Sequence, residues 1–392
     1  MPGTAAYLVI GAVAAVVTFA VTPIVGRMAR RFGWVVEPDE RRVHKVVTPD
    51  VGGIAMLIGF LAAFAVARLW DTFDPLFARN SEPRGVVYAA VLMFLVGFID
   101  DIREISAPAK VLGTVAVGVL LVYFGVTMFW FRLPFVDVFL LDPQWVPIIT
   151  VLWLLGMTNA INLIDGLDGL AAGIVAIGAG AFFLYAQRLA EPSIGMLTQP
   201  NIGPLVAILA VGICVGFLPH NFNPAKIFMG DGGALMLGLL MAVSTSVVGG
   251  RADPNTQRFV GQTYFFLAPL FIPLFILGVP ILDTLFAIIR RAARRQGVAS
   301  ADKGHLHHRL MEMGHGQRRS VLILWAWTAL LSGFVLYPAF TRIGSIWVPI
   351  GLAALSLALY TVLHPRFRAR RDQGSELPEH SDRKSTRLNS SH

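Results

Sequence analysis

Residues 146–189 read VPIITVLWLLGMTNAINLIDGLDGLAAGIVAIGAGAFFLYAQRL. Two apolar runs, 146–164 and 169–189, flank a hinge that carries Asn159, Asn162, Asp165 and Asp168. At 1.5 Å rise per residue, a helix of about 20 residues crosses the ~30 Å hydrocarbon core of a bilayer. Each run is therefore a candidate membrane span, and the hinge is where polar groups leave the lipid. The pattern recurs along the 392 residues as eleven runs, at 5–26, 51–70, 85–99, 109–130, 146–164, 169–189, 203–219, 234–249, 264–289, 320–340 and 345–363. The fold expected is an all-α polytopic membrane protein. The ninth run would be about 39 Å long as a straight helix. It contains Pro269, Pro273 and Pro280, so it is expected to be kinked or broken.

Composition agrees. The chain is 55% hydrophobic and only 14% charged, against roughly 25% charged in ordinary soluble domains. These totals exclude a disordered chain, a disulfide scaffold and a coiled coil, and they leave too few polar residues to cover a water-soluble globule. The single cysteine, Cys214, falls in an apolar run and offers neither a disulfide nor a cysteine-based zinc site. The net charge of +8 could serve nucleic acid, but its distribution points to topology. Loops after odd-numbered runs, with the C-terminal tail, hold 24 of the 32 Lys and Arg residues. The positive-inside rule then places the N-terminus outside and the C-terminus in the cytoplasm. Nucleic acid is not expected as a partner. The lipid bilayer is. Residues 1–365 form the expected transmembrane catalytic unit, and 366–392 a disordered tail whose end resembles a non-native scar.

The chemistry-bearing residues fall in loops assigned to the cytoplasmic side. Asp100 and Asp101 end the third run in GFIDD, either as a solvated helix end or as cation ligands. In the hinge of residues 159–170, Asp165 and Asp168 share a face if the segment is helical. A plain helical turn does not need two Asn and two Asp at this spacing. In NFNPAKIFMGDGG, residues 221–233, glycines before a helix can offer N–H groups to a phosphate, and Asp231 could cap that helix or hold a cation. In HLHHR, residues 305–309, the spacing of His305, His307 and His308 is poor for zinc, and together with Arg309 they suit an anionic phosphate better. A fifth segment carries His44, Lys45, Pro49, Gly52 and Gly53, the glycines permitting close helix packing. Asp283 lies inside an apolar run and requires a partner or a role. Carboxylates gathered at one interface, with His and Arg nearby, suit Mg²⁺-dependent phosphoryl transfer. A secondary transporter would instead concentrate such groups near the bilayer midplane, where only Asp283 falls.

GFIDD, NAINLIDGLDGL, NPAKIFMGDGG and HLHHRL resemble, in order and spacing, the polyprenyl-phosphate N-acetylaminosugar-1-phosphate transferases. The likeness runs from about His44 to Arg319. The HxHHR form is similar to the branch using UDP-N-acetylglucosamine, whereas the phospho-MurNAc-pentapeptide transferases typically carry three consecutive His. The resemblance implies attack of a polyprenyl phosphate on the sugar-linked phosphorus of a UDP-N-acetylaminosugar, with release of UMP, as the first membrane step of a cell-envelope polysaccharide in the bacterial cytoplasmic membrane. It implies Mg²⁺, with Mn²⁺ as a substitute, held by Asn162 and Asp231. Asp100, Asp101, Asp165, Asp168, His305, His307 and His308 match catalytic positions. His44, Lys45, Lys110, Asn221, Phe228 and Arg309 match substrate-binding ones, with Phe228 as a stacking surface for uridine. Pairing of two copies is also implied. Two positions depart from the family pattern. Ala234 stands where Ser or Thr often follows the GDxG motif, and Asp50 stands where a basic or small polar residue is common.

Overall fold

A computed structural model describes residues 2–36, 47–78, 80–132, 138–192, 197, 200–251, 315–340, 351, 353–358 and 360–361. Among these the main helices are α1 (Thr4–Phe32), α2 (Gly53–Leu69), the short α3 (Asp74–Phe77), α4 (Glu82–Arg103), α5 (Ala107–Tyr123), α6 (Val146–Ile164), α7 (Leu170–Ala190), α8 (Gly203–Asn221), α9 (Gly230–Val248) and α10 (Gln317–Phe340). Six of them, α1, α4, α6, α7, α8 and α9, are long and apolar enough to cross a membrane. A seventh crossing arises if α2 and the segment 71–77, bent by 89°, form one span. The chain is a mostly helical, multi-pass membrane protein.

The first eight expected runs coincide with helices, with three differences. The fourth helix stops at Tyr123 rather than continuing to 130. The chain there turns into an antiparallel pair, β3 (Trp130–Arg132) with β4 (Val138–Leu140). A second small pair, β1 (Val35–Val36) with β2 (Thr48–Pro49), links α1 to α2, so the fold is not strictly all-α. The eighth helix begins at Gly230, not 234, which puts Asp231 in its first turn. The run at 264–289, with Asp283, and most of 345–363 lie outside the described residues.

Helix α9 is the axis of the bundle. It packs against α2, α4, α6, α7 and α8. Every one of its residues is buried except Asp231. A helix apolar on all sides belongs in the interior, and α9 has that character. Its hydroxyls cause no conflict, because Ser244 and Thr245 donate to the carbonyls of Leu240 and Met241 one turn back. Small residues set the spacing between helices. A Cβ on Gly212 of α8 would lie 2.3 Å from the carbonyl oxygen of Gly11 in α1, and one on Gly238 of α9 would lie 2.5 Å from Cα of Thr158 in α6.

Candidate active site

The polar motifs at 100–101, 159–168 and 221–233 converge at one end of the bundle. Helix α4 reaches that end with Gly97 against the start of α9, where a Cβ would lie 2.4 Å from the carbonyl oxygen of Asp231. This approach lets the Asp101 carboxylate accept the N–H of Asp231 at 2.6 Å and that of Gly232 at 3.0 Å. Helix α9 has no side-chain cap of its own. Asp101 supplies one from another helix, satisfying orphan donors at the positive end of the helix dipole. Gly230 fits both demands of the junction. Its φ is 69°, and a Cβ there would stand 2.5 Å from Oδ2 of Asp101. Two expectations are corrected here. The first N–H groups of α9 are taken by a carboxylate and do not form a phosphate cradle, and Asp231 does not cap its own helix.

Asp100 is not a solvated helix end either. Its Oδ1 accepts the N–H of Ile105 at 2.8 Å, and its Oδ2 pairs with Lys110. The Lys110 ammonium also pairs with Oδ2 of Asp231. One cation from the first turn of α5 thus bridges carboxylates from α4 and α9. The amide nitrogen of Asn162, near the end of α6, lies 3.4 Å from the same Asp231 oxygen. Turning that amide over would present its carbonyl oxygen instead, and the two orientations are interchangeable in shape.

The α6–α7 hinge is a turn, not a helix. Helix α6 ends at Ile164 and α7 begins at Leu170. Asp165 and Asp168 therefore do not share a helical face and have different surroundings. Asp168 is buried, and its Oδ2 accepts from the Asn223 amide at 2.8 Å and from the Ala225 N–H at 3.0 Å. Asn221 is also buried. Its Oδ1 accepts the N–H of Gly169 at 3.0 Å and its Nδ2 donates to the carbonyl of Ile227 at 3.0 Å. Both ends of this amide tie the hinge to the α8–α9 loop. Phe228 is half-buried, and its backbone joins that loop to the start of α2. Its N–H donates to the carbonyl of Pro49 at 2.8 Å, and its carbonyl accepts the N–H of Gly52 at 2.9 Å. Gly53 packs against Gly233 so closely that a Cβ would lie 2.4 Å from its nitrogen.

Asp50 sits within this seam, with its carbonyl oxygen 2.6 Å from where a Cβ on Gly230 would be. Its charge bears on both Asp101 and Asp165. Sequence reasoning noted Asp50 only as a departure from a pattern, and gave no role to Asn223 or Gly97. The signal for Asp50 was its place between Pro49 and the Gly52-Gly53 pair, which the fold stitches to the Met229-Gly230-Asp231 junction. His44, Lys45, His305, His307, His308 and Arg309 lie outside the described residues.

Asp165 has no hydrogen-bond donor among the described residues. Burial holds its carboxyl well above the ordinary carboxylate range, and the charges of Asp50, Asp231, Asp101 and Asp168 push it the same way. No three His, Cys, Asp or Glu residues among those described form a ready-made metal cage. The donor chemistry nonetheless fits a hard divalent ion. All the acidic groups are oxygen ligands, their charge exceeds what Lys110 supplies, and Mg²⁺ commonly takes one or two carboxylates and completes its shell with water and substrate phosphate.

A cluster of carboxylates at one end of a transmembrane bundle, stitched from segments distant in the chain, marks a membrane-embedded enzyme. The description "Glycosyl transferase family 4" matches residues 84–249, and the chain belongs to that family. It is 36% identical over 328 residues to the decaprenyl-phosphate N-acetylglucosaminephosphotransferase of Mycobacterium leprae, covering 82% of this chain and 81% of that one. It is 34% identical over 372 residues to the protein of the same name in Mycolicibacterium smegmatis, covering 94% and 90%. A phospho-N-acetylmuramoyl-pentapeptide-transferase of Desulforudis audaxviator is 33% identical over 344 residues, covering 81% and 93%.

Proposed function

We propose that this enzyme transfers N-acetylglucosamine-1-phosphate from UDP-N-acetylglucosamine to a polyprenyl phosphate. An oxygen of the lipid phosphate bonds to the sugar-linked phosphorus. The bond from that phosphorus to the bridging oxygen breaks, and UMP leaves with the electron pair. The products are polyprenyl-diphosphate-N-acetylglucosamine and UMP. The observation that carries this reading is the meeting of Asp100, Asp101, Lys110, Asn162, Asp165 and Asp231 at one end of the spans, where a lipid phosphate and a soluble nucleotide can both arrive. The charge pattern of the loops places that end in the cytoplasm, with the N-terminus outside.

Asp231 and Asn162 would hold Mg²⁺, for which Mn²⁺ can substitute. Such an ion supplies positive charge to the diphosphate as its bridging bond breaks. The protein's own groups position and neutralise. Lys110 spans Asp100 and Asp231 and sets the distance between α4 and α9. Asp101 fixes the tip of α9, and Asp168 fixes the hinge. Asp165, without a donor among the described residues, is left to face the reactants. Phe228, with Asn221 shaping its loop, offers the uridine surface. His305, His307, His308, Arg309, His44 and Lys45 supply the remaining anion contacts. A phosphate monoester, with a second pKa of about 6, is mostly dianionic at pH 7, so no strong base is needed. Direct displacement is favoured, with positioning dominant.

The test is UMP release by the purified protein from UDP-N-acetylglucosamine, with and without polyprenyl phosphate and Mg²⁺. Release is expected only with all three. Release without the lipid, or none with it, would overturn the reading. The Desulforudis relative favours one rival donor, UDP-MurNAc-pentapeptide, which belongs in the same assay. A radiolabelled phospho-enzyme formed with donor alone would refute direct displacement.

A further inference from the structure

At the same end of the bundle, but on the outer side of the 222–227 loop, α1 and α8 enclose a cavity of about 240 Å³. Its buried floor is Thr22, Gly26 and Ile227, with Pro23 at its exposed edge. Its rim is Arg27, Arg30, His220 and Lys226, with no carboxylate in the lining. Among the described residues no acid pairs with these three long cations.

Pro23 creates the opening. A proline inside a helix has no N–H for the carbonyl four residues back, here that of Phe19. The freed Phe19 oxygen lies 3.1 Å from Nε2 of His220. That nitrogen must carry its hydrogen to bond a carbonyl, which fixes the ring and docks α8 onto α1. The rings of Phe19 and His220 lie 4.8 Å apart. Arg27 spends only its Nε, on the Pro23 carbonyl at 3.3 Å, which leaves the rest of its guanidinium available. On the same face of α1 as Pro23, Arg27 and Arg30, one and two turns further along, Val16 and Phe19 are exposed. An apolar helix face thus leads directly to a cluster of cations.

We propose that this cavity binds the phosphate headgroup of an anionic membrane phospholipid, its acyl chains lying along Val16 and Phe19. A free phosphate ion has no use for that apolar face or floor. A basic pocket between transmembrane helices at the water boundary matches a lipid headgroup in both charge and polarity. The site is separate from the reaction site. Asn223 and Ala225 of the loop bond Asp168, whereas Lys226 and Ile227 line the cavity. The lipid is therefore not the acceptor substrate, although it would brace the loop that holds Asp168.

The experiment uses the full chain in detergent with added phosphatidylglycerol, phosphatidylcholine or inorganic phosphate. It reads bound lipid by native mass spectrometry and the melting temperature in parallel. Phosphatidylglycerol is expected to be retained and to raise the melting temperature, and the other two are not. The triple variant R27Q/R30Q/K226Q should bind phosphatidylglycerol about 100-fold more weakly, at about fivefold per cation lost, and melt like wild type in phosphatidylcholine. Should the triple variant not fold, R30Q and K226Q singly should each show the fivefold loss. R68Q, at the far end of α2, should show none. Equal retention by wild type and variants overturns the proposal. So does equal stabilisation by inorganic phosphate, which would make the ligand a soluble anion. Displacement of phosphatidylglycerol by equimolar polyprenyl phosphate would assign the cavity to the acceptor instead. Because binding is read without turnover, failure of the UMP assay leaves this result standing.

Discussion

Two acid pairs, Asp100 with Asp101 and Asp165 with Asp168, look alike in sequence and are used differently. In the first pair every oxygen bond is spent on the protein itself. Asp101 gives both oxygens to the backbone of α9, and Asp100 gives one to Ile105 and one to Lys110. In the second pair, Asp168 is bound by Asn223 and Ala225, while Asp165 has no donor among the described residues and the charges of Asp50, Asp231, Asp101 and Asp168 around it. The difference separates carboxylates bonded within the fold from one that the proposed mechanism leaves for a ligand. Burial disfavours the charge on both Asp101 and Asp165, at Asp101 against the pull of its two N–H bonds, and at Asp165 with no such bond among the described residues to offset it.

Five substitutions break or sharpen this contrast, beginning with the largest effect. Asp231→Asn removes the carboxylate shared by Lys110 and Asn162. Activity should vanish at any Mg²⁺ concentration in the UMP-release assay, and wild-type-like turnover would remove Asp231 from the site. Next come Asp165→Asn and Asp101→Asn, each expected to cost about 10²-fold or more in kcat. Their melting temperatures should move in opposite directions without added metal. Asp165→Asn relieves repulsion and should raise it. Asp101→Asn weakens the acceptor of two backbone N–H groups, a loss of about 1–3 kcal/mol, and should lower it. If both shifts share a sign, the division between building and ligand-facing acids fails. Gly97→Ala drives a methyl into the backbone of Asp231 and Gly232. Overpacking of this kind costs about 1–3 kcal/mol, and activity should drop with stability because the tip of α9 is displaced. Arg68→Ala is the smallest. Its 3.7 Å pair with Asp74 is exposed, so stability should change by less than about 0.5 kcal/mol and turnover not at all.

Helices were legible in the sequence because an apolar run of membrane length admits little else. The limits of α6, α7 and α8 follow their runs closely. Endings were less legible where tertiary contacts decide them, as at Tyr123, where the chain turns into β3, and at Gly230, where Asp101 lets α9 start early. Three of the motifs, at 100–101, 159–168 and 221–233, were legible as meeting at one end, since polar segments in an apolar chain have few places to go. Their division of labour was hidden. Nothing local says that Asn221 spends its amide on Gly169 and Ile227, or that Asp50 faces Asp165, because those facts depend on which loops meet.

Helix α9 has a wider consequence. A rod whose residues are all buried except Asp231 gives that tip the support of the molecule's centre and leaves a doorway at Asp231. Compounds that crowd the lipid-facing flanks should therefore leave turnover largely intact. A small polar compound wedged in that doorway should stop it, even with no resemblance to a sugar or a prenyl chain.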